Sequence, residues 1–466
     1  MSTKELTKTA AARQRKSDPT SLISALKNGG PIVWLSCLFM GLGNLFAGQF
    51  IKGLLFLAIE AGVIVYMVIK EGGLHWLTML PSLGDQVRGE VWDPNQGVYV
   101  YTEGDNSQQI LLYAVATIAI LVAFAVIWRA SVRSGYKALC FKRAGKKAPT
   151  FVEDIKALFD ENVHKLLMTP PFLTLTIFTI IPLFYMILMA FTNYSKVGEH
   201  LILFDWVGMD NFISLFDSSS TIGSQFWGVL QWTIIWAFFA TFLNFFAGTI
   251  MAMIINRPTT RLKGLWRTVF SLTIAVPQFV SLLIIRTMLK DDGAVNRLLW
   301  SLGLVENGVN LPFWTNATWA KVVIIVVNLW VGIPYTVMQV TGILQNIPAE
   351  QYEAARIDGA NVVQQFVHIT LPYMIFVMTP YLITQFTGNI NNFNIIFLLS
   401  GGGPTDTGAS AGKTDLLVTW LYKLSVDQQK YNLAAVIGIF TFVVLAVVAL
   451  VTYRSSGSYK DEEGFK

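Results

Sequence analysis

Amide side chains inside an apolar stretch are the residues whose types and spacing point most directly to chemistry. Gln385, Asn389 and Asn392 lie in segment 373–399 at spacings of four and three, so a helix would place them on one face. Amides donate and accept hydrogen bonds without carrying charge, which suits sugar hydroxyls. Two aromatic residues of the same segment, Phe386 and Phe393, are candidates to cover a pyranose ring.

Two other apolar segments contribute similar groups. Asn328 and Gly332 are one turn apart in segment 320–343, and Gln278 follows Pro277 in segment 265–288. Polar groups within a membrane need partners and are therefore functional candidates. The alternative is that these amides hydrogen-bond helix to helix, as Asn and Gln often do in membrane proteins. Both interpretations stay open for any single residue.

Other chemistry has weak support. No nucleophile–base pair, paired carboxylates or metal-ligand spacing stands out, and Cys37 and Cys140 are far apart. The run SAGKT at 410–414 resembles part of a phosphate-binding loop, but Thr407 occupies the position of that pattern's first glycine. We therefore expect no catalytic residue, no metal, no nucleotide site and no bound cofactor.

The composition indicates a polytopic membrane protein. Of 466 residues, 53% are hydrophobic and only 14% charged, whereas soluble domains have about a quarter charged residues. Eight segments are apolar over about the length needed to cross a bilayer. The predicted fold is all-α, with about eight transmembrane helices at 53–69, 110–129, 170–191, 228–255, 265–288, 320–343, 373–399 and 431–453.

The distribution of Lys and Arg predicts the orientation. Eight crossings with both termini inside place 23 Lys and Arg residues on the inner side and 8 on the outer side, as the positive-inside rule requires. Lys52, Arg286 and Lys321 lie at or within segment ends and are not counted. This asymmetry accounts for the net charge of +5 without nucleic acid. A ninth crossing at 31–50 would move the basic N-terminus outside, so we interpret 31–50 as an interfacial or re-entrant element. Glu60 is expected to have a structural partner.

Segment 344–372 is a polar interruption between two apolar segments. Pro348 is well placed as a first-turn residue, and Ala349–Asp358 contains strong helix formers. Gly359 can adopt the left-handed conformation that ends a helix. Asn361 is a good cap for a second short helix that would stop before Pro372. We expect a helix–turn–helix elbow outside the bilayer, which either serves as a tight connector or receives force from a soluble partner.

The motif of this elbow is similar to the EAA loop of ABC-importer permeases. It is present as EAA-x-x-DGA followed by Phe366, Ile369 and LP. VVNLWVGIPY (326–335), NNFNIIFLLSGGGP (391–404) and TDLLVTWLYKL (414–424) extend the likeness. Over about residues 165–455 the chain resembles the MalF-type permease subunit of maltodextrin and other oligosaccharide importers. It lacks the large external insertion that some MalF-type subunits have between 191 and 228.

The resemblance implies a type I ABC-importer permease core with extra N-terminal helices. The elbow would be the coupling helix that docks on the ATPase, through Glu353, Ala354, Ala355, Asp358, Gly359 and Ala360. The amides would line a sugar path at mid-membrane. The implied partners are a MalG-like second permease, a homodimeric cytoplasmic ATPase that binds the ATP, an extracytoplasmic sugar-binding protein and membrane lipids in a bacterial plasma membrane.

We divide the chain into a basic cytoplasmic N-terminus (1–30), an N-terminal membrane region (31–165), a permease core (166–455) and a cytoplasmic tail (456–466). The rival hypothesis is a self-sufficient secondary transporter, which would favour inverted repeats and intramembrane acids on broken helices. Such symmetry is absent from the sequence, and Glu60 is the one clear candidate acid. The sequence therefore favours a permease subunit that is not itself an enzyme.

Overall fold

The computed structural model of the protein describes residues 21–84, 89–94, 96–102, 104–197, 200–257 and 259–455. Most of the predicted N-terminal segment 1–30 and the whole tail 456–466 lie outside these residues. The described chain divides into two compact units, Met1–Leu188 with Glu199–Trp206 and Met189–Gly198 with Val207–Lys466. The elements are almost entirely helical, as predicted for an all-α membrane protein.

The first unit consists of short helices, one hairpin and long apolar helices. The hairpin strands pair antiparallel, with Gly89 opposite Thr102 and Asp93 opposite Val98. In chain order the elements are α1 Leu22–Asn28, α2 Pro31–Leu38, α3 Leu42–Phe46, α4 Phe50–Val68, α5 Gly73–Met79, β1 Gly89–Asp93, β2 Val98–Thr102, α6 Ser107–Arg143, α7 Phe151–Phe159 and α8 Val163–Met189, the last containing a π-helical turn at Thr176–Ile180.

Segment 31–50 forms two helices, α2 and α3, that are too short to cross a bilayer at 1.5 Å per residue. Their connecting backbone is hydrogen-bonded by neighbouring side chains. Glu60 is buried and accepts from the Met40 backbone N–H at 2.7 Å, and Ser131 accepts from the Gly41 N–H at 3.0 Å. Backbone within a membrane needs such partners. Glu60 therefore has the expected structural role, and the placement of 31–50 relative to the membrane stays a prediction.

The second unit contains the long helices of the predicted core other than α8, which belongs almost entirely to the first unit. Its elements are α9 Asp210–Phe216, α10 Gly223–Asn256, α11 Lys263–Ala275, α12 Gln278–Met288, α13 Ala294–Ser301, α14 Ala317–Leu344, α15 Ala349–Ile357, α16 Val362–Ile390, α17 Phe393–Leu399, α18 Leu417–Tyr422 with a π turn at Lys423–Asp427, and α19 Tyr431–Ser455. Its buried core includes Trp236, Leu282, Ile324 and Leu399, which come from four different helices.

Seven helices of the described chain are long and apolar enough to cross a membrane: α4, α6, α8, α10, α14, α16 and α19. The pair α11 and α12 passes the same test together and brings the number to eight if it forms one span. This agrees with the predicted count. Segment 265–288, predicted as one of the transmembrane helices, consists of two helices that are bent by 86° relative to each other. Val276 is extended before Pro277, which has no N–H to continue the helix.

The boundaries of α16 also differ from the prediction. The second elbow helix does not stop before Pro372 but continues to Ile390, through a π-helical turn at Phe366–Thr370. In that turn the Leu371 N–H donates to the Phe366 carbonyl five residues earlier. A π turn widens the helix and accommodates a proline that would otherwise clash with the preceding turn.

At its other end α16 is shorter than segment 373–399. The helix ends at Ile390, and Asn392 caps the separate helix α17 by accepting from the Ile395 N–H at 3.3 Å. Asparagine is a strong N-cap residue and favours this break. Asn392 is therefore not on the helical face of Gln385 and Asn389, although it remains close to Asn389.

Candidate functional site

The six residues predicted for a substrate path line one cavity of about 300 Å³. They come from the start of α12, from α14, from α16 and from the turn before α17, and α10 completes the wall. The six are Gln278, Asn328, Gly332, Gln385, Asn389 and Asn392. Segments far apart in the sequence thus bring their amides to the same place, as the hypothesis of a polar path requires.

At one end of the cavity, side-chain amides form a hydrogen-bonded network. We call this end the amide end. Asn389 donates to Thr241 Oγ1 on α10 at 3.0 Å, and Asn392 donates to Asn389 Oδ1 at 3.3 Å. The Asn389 backbone carbonyl accepts from the indole N–H of the fully buried Trp236 at 3.0 Å. Asn389 is therefore held on both sides, and its amide is fixed before any ligand arrives.

The middle of the cavity is formed by a close contact between α10 and α14. Asn244 Nδ2 donates to the Ala240 carbonyl at 2.8 Å, and Asn328 Nδ2 lies 3.5 Å from the same oxygen. A Cβ atom at Gly332 would lie only 2.3 Å from Asn244 Nδ2. Only glycine fits at position 332 without moving Asn244, so the Asn328–Gly332 pair has a packing role as well as a place in the cavity wall.

The other end is lined by tyrosines and is called here the tyrosine end. Tyr335 on α14 and Tyr381 on α16 both line it, and Tyr335 is 48% exposed. The predicted aromatic residues, Phe386 and Phe393, are not among the lining residues. Phe393 instead packs on Phe397 with ring centroids 4.7 Å apart. The aromatic residues of the cavity wall are instead Phe245 and two tyrosines, Tyr335 and Tyr381, whose hydroxyls can form hydrogen bonds.

Several polar residues that line the cavity were not predicted from the sequence, namely Thr241, Asn244, Tyr335, Thr336, Gln339 and Tyr381. One signal was available on α14, where Tyr335 and Gln339 continue the spacing of Asn328 and Gly332 along one face. The described lining residues include no Asp, Glu, Lys or Arg. The cavity therefore offers many neutral donors and acceptors and no charge to attract an ionic solute.

The elbow is formed by α15 and the start of α16. Gly359 has φ of +80° and ends α15, and the Ala360 N–H donates to the Ala355 carbonyl at 2.8 Å. Asn361 and Gln364 form a reciprocal capping box at 2.8 and 2.9 Å. These are the local signals that predicted a helix, a turn and a second helix start. Pro348 is the N-cap of α15 rather than a first-turn residue.

The concave surface of the elbow encloses an open pocket with a volume of about 350 Å³. Four of the six predicted coupling residues line it, namely Ala355, Asp358, Gly359 and Ala360. Glu353 and Ala354 are exposed on the same short helix but are not among the lining residues. Ile357 is 86% exposed, the highest value among the exposed large hydrophobic side chains of the described residues. Tyr352 and Thr370 tie α15 to α16 through their hydroxyls at 2.8 Å.

The SAGKT run belongs to a folded loop in which backbone N–H groups already donate hydrogen bonds to side chains of the protein. Gln225 Oε1 accepts from the backbone N–H groups of Ser410 and Ala411 at 2.9 and 2.8 Å. Asp415 Oδ2 accepts from the Gly412 N–H at 2.7 Å. A phosphate-binding loop needs such N–H groups free to point at phosphate. These N–H groups of the run are therefore not free to bind phosphate.

Comparison with known proteins identifies the family to which this architecture belongs. Residues 244–456 match the family of binding-protein-dependent transport system inner membrane components. The chain is 33% identical over 436 residues to the galactooligosaccharides transport system permease protein GanP of Bacillus subtilis, covering 92% of this chain and 99% of GanP. It is 32% identical to the maltodextrin transport system permease protein MalC of Streptococcus pneumoniae, covering 91% and 95%.

The chain belongs to the permease family of ABC importers. The permease is also 33% identical to the MalF protein of Klebsiella aerogenes, over 54% of this chain and 49% of MalF. A solved bacterial alginate ABC transporter shares the fold, with a TM-score of 0.53 at 23% identity over 64% of this chain and 95% of that one. The permease is thus a multi-pass transport subunit and not a secondary transporter, as the EAA motif indicated.

Proposed function

We propose that this permease forms half of the translocation path for neutral, maltodextrin-like oligosaccharides in an ATP-driven importer. The observation that carries the proposal is the single cavity into which α10, α12, α14 and α16 bring uncharged amides and tyrosines. Amides and phenols match the alternating donors and acceptors of sugar hydroxyls. The 300 Å³ volume is at the lower end of the range for small-molecule sites, so only part of a longer sugar chain would occupy it at one time.

The substrate class follows from the charge of the lining. An acidic polysaccharide such as alginate would favour cationic groups along its path, and none lies among the described lining residues. The relatives that match nearly the whole chain are named for galactooligosaccharides and maltodextrin. We therefore favour neutral oligosaccharides over acidic ones.

The energy for transport would come from other polypeptides. The proposed complex contains this subunit, a MalG-like second permease, a homodimeric cytoplasmic ATPase that binds ATP, and an extracytoplasmic sugar-binding protein. This chain binds no cofactor in the proposal. It would lie among the lipids of a bacterial plasma membrane with both termini in the cytoplasm, in agreement with the excess of Lys and Arg in the predicted inner loops.

The elbow would transmit ATPase movement to the cavity. Its exposed Ile357 and its concave surface offer apolar contact to a partner, and Glu353 offers a charge for a basic rim. Because α16 runs unbroken from Val362 to Ile390, displacement of the elbow would be conveyed along one helix to Tyr381, Gln385 and Asn389. Closure of the ATPases on ATP would thereby rearrange the cavity wall, and hydrolysis would reset it.

The test is a tagged pull-down from native membranes in mild detergent, with every co-purifying chain identified. We expect recovery of a soluble ATPase and a second permease. After reconstitution into liposomes with the sugar-binding protein, the recovered complex should show ATP-dependent uptake of radiolabelled maltotriose or galactotriose. A chain that purifies alone and moves sugar in liposomes without ATP would overturn the proposal.

A further inference from the structure

A cleft at one end of the long helices α4 and α6 is lined by two lysines. Lys52 lies in the first turn of α4, and Lys137 lies on α6 beyond the apolar stretch of that helix. The two lysines, together with Gln49, Ser134 and Asp154, line an open cleft of about 60 Å³. This volume is far below that of a site for a sugar or a nucleotide. The cleft therefore suits a small ionic group and not a transported solute.

One of the two lysines has an acidic partner and the other does not. Lys52 Nζ donates to Asp154 Oδ2 on α7 at 2.7 Å. Lys137 is exposed, and its ammonium group forms none of the hydrogen bonds or ion pairs found among the described residues. Glu153, which precedes Asp154, already accepts from the Thr150 N–H at 2.6 Å. The described residues thus leave the positive charge of Lys137 available to a ligand.

The segment around the cleft carries the same sign of charge. Residues 129–156 contain eight Lys and Arg residues and two acidic residues. Lys142 and Arg143 donate to the carbonyls of Phe46 and Gly29, both at 2.7 Å, and so hold the ends of α3 and α1 beside this part of α6. Clusters of Lys and Arg directly after a membrane span attract anionic lipids. The charge of the segment therefore favours a lipid with an anionic headgroup.

Helix α7 adds an exposed apolar face to the same surface. The Lys52–Asp154 pair holds α7 beside the start of α4. Val152, Ile155 and Phe159 lie at spacings of three and four, on one side of the helix. No described residue of α7 is buried, and Val152 and Phe159 are 58% and 69% exposed. A short amphipathic helix at the end of two candidate spans is typical of a segment that lies in the membrane surface.

We infer that the cleft between α4, α6 and α7 binds the phosphate of an anionic phospholipid, with α7 lying in the surface of the same leaflet. Lys137 donates to the phosphate oxygens, and the apolar face of α7 rests against the acyl chains. A free anion would match the charge but would leave Val152 and Phe159 exposed to water, whereas a lipid satisfies both. In the proposed orientation this is the cytoplasmic leaflet. The site is separate from the sugar path.

The test is photo-crosslinking of the complete importer in liposomes of phosphatidylcholine and phosphatidylglycerol. A photoactivatable analogue of either lipid is added in trace amount, and adducts on residues 129–160 are quantified by mass spectrometry. We expect the phosphatidylglycerol probe to label this segment at least fivefold more strongly than the phosphatidylcholine probe. Lys137→Gln should lower that preference about fivefold, the value of one lysine at an anionic surface, and Lys137→Arg should retain it. Excess inorganic phosphate should not compete.

Lys146→Gln is the matched control. Lys146 is exposed in the same cationic segment but is not among the residues that line the cleft. Because the two glutamine variants lose the same charge, a diffuse attraction to the membrane would weaken equally in both. We expect the preference of Lys146→Gln to stay within about twofold of the wild-type value. A probe that reacts from its acyl chain should label the apolar face of α7 and spare Glu153 on the polar face.

Three results would overturn the inference while leaving the proposed function intact. The first is equal labelling by the two lipid probes, and the second is an equal loss of preference in Lys137→Gln and Lys146→Gln. The third is displacement of the phosphatidylglycerol probe by inorganic phosphate, which would indicate a site for a free anion. Sugar uptake is not a readout of this experiment, so a failure of the proposed function would appear in the uptake assay alone.

Discussion

The conformations of the cavity and of the elbow are determined by different kinds of contact. The elbow is specified by residues next to one another in the sequence: Gly359 in the left-handed region, the Asn361–Gln364 capping box and the helix formers of α15. The cavity is specified by packing between helices, such as Asn389 against Thr241, which are 148 positions apart in the sequence.

This difference matches their proposed roles. The cavity side chains are held before a ligand arrives, which lowers the entropy lost on binding. The elbow keeps exposed apolar groups that only a partner would cover, with Ile357 the clearest case. Changes at the elbow should therefore act on the whole transport cycle, whereas changes in the cavity should act on sugar affinity.

The largest expected effect is loss of uptake in Gly359→Pro. Proline holds φ near −65°, whereas Gly359 has φ of +80°, and proline also removes the N–H that donates to the Arg356 carbonyl. Maltotriose uptake should fall to background with the protein still in the membrane. Gly359→Ala should cost about 1–2 kcal/mol of local stability, the penalty of a left-handed alanine. Gly342→Ala, at a helical position with open space, is the control that should leave uptake unchanged.

Glu353→Lys tests the proposed contact of the elbow with the ATPase through charge alone. Glu353 is exposed and at the surface of α15, so its replacement should not disturb the fold. We expect uptake near background and a smaller yield of ATPase in the pull-down. Full uptake in both Glu353→Lys and Gly359→Pro would show that the elbow is only a connector.

A smaller effect is expected from the cavity. The double variant Asn328→Ala and Asn392→Ala should lower uptake at low sugar by about tenfold, the loss of one to two hydrogen bonds. Stimulation of ATP hydrolysis by the binding protein should be preserved. Because Asn392 also caps α17, Asn392→Ser is the control that keeps a capping oxygen while removing the amide. Unchanged uptake at low sugar in the double variant would contradict the role of the cavity.

Gly332→Ala should act on stability as well as on uptake. The added methyl group would overlap Asn244, and overpacking of this kind costs about 1–3 kcal/mol. A lower melting temperature of the purified complex is the expected result. Gly388→Ala on α16 is the comparison, since nothing lies near a Cβ at that position. Equal melting temperatures for the two variants would show that the close contact of α10 and α14 is not maintained.

The smallest effect is expected from Tyr352→Phe. The loss of the hydroxyl contact with Thr370 should cost about 0.5–1.5 kcal/mol. We expect uptake to decrease by no more than about threefold, because the capping box and Gly359 still form the turn. A loss as large as that of Gly359→Pro would mean that the tie between α15 and α16, rather than the turn, transmits movement.

Local patterns in the sequence predicted much of this structure. Apolar length predicted the spans, and the glycine and the cap predicted the elbow, because these features depend on a few adjacent residues. The amide cluster on α16 was visible for the same reason. Asn244 was not, because a single asparagine in an apolar helix looks the same whether it packs or lines a cavity, and its contact with Gly332 arises only when α10 and α14 meet.

The incorrect boundaries have a related cause. Pro277 and Pro372 are both prolines within apolar segments, yet one accompanies an 86° bend and the other lies in a continuous helix. Pro372 is accommodated by the π turn at Phe366–Thr370, which no pattern in the sequence predicted. Asn392 was predicted to share a helical face with Gln385 and Asn389, but it caps the next helix instead.

The most direct test of the central claim is transport by the purified importer in liposomes. The complete complex, with external binding protein and internal ATP, should accumulate maltotriose, and the Asn328→Ala, Asn392→Ala variant should hydrolyse ATP with reduced accumulation. Accumulation that needs no ATP, or that is the same in the variant at low sugar, would contradict the account.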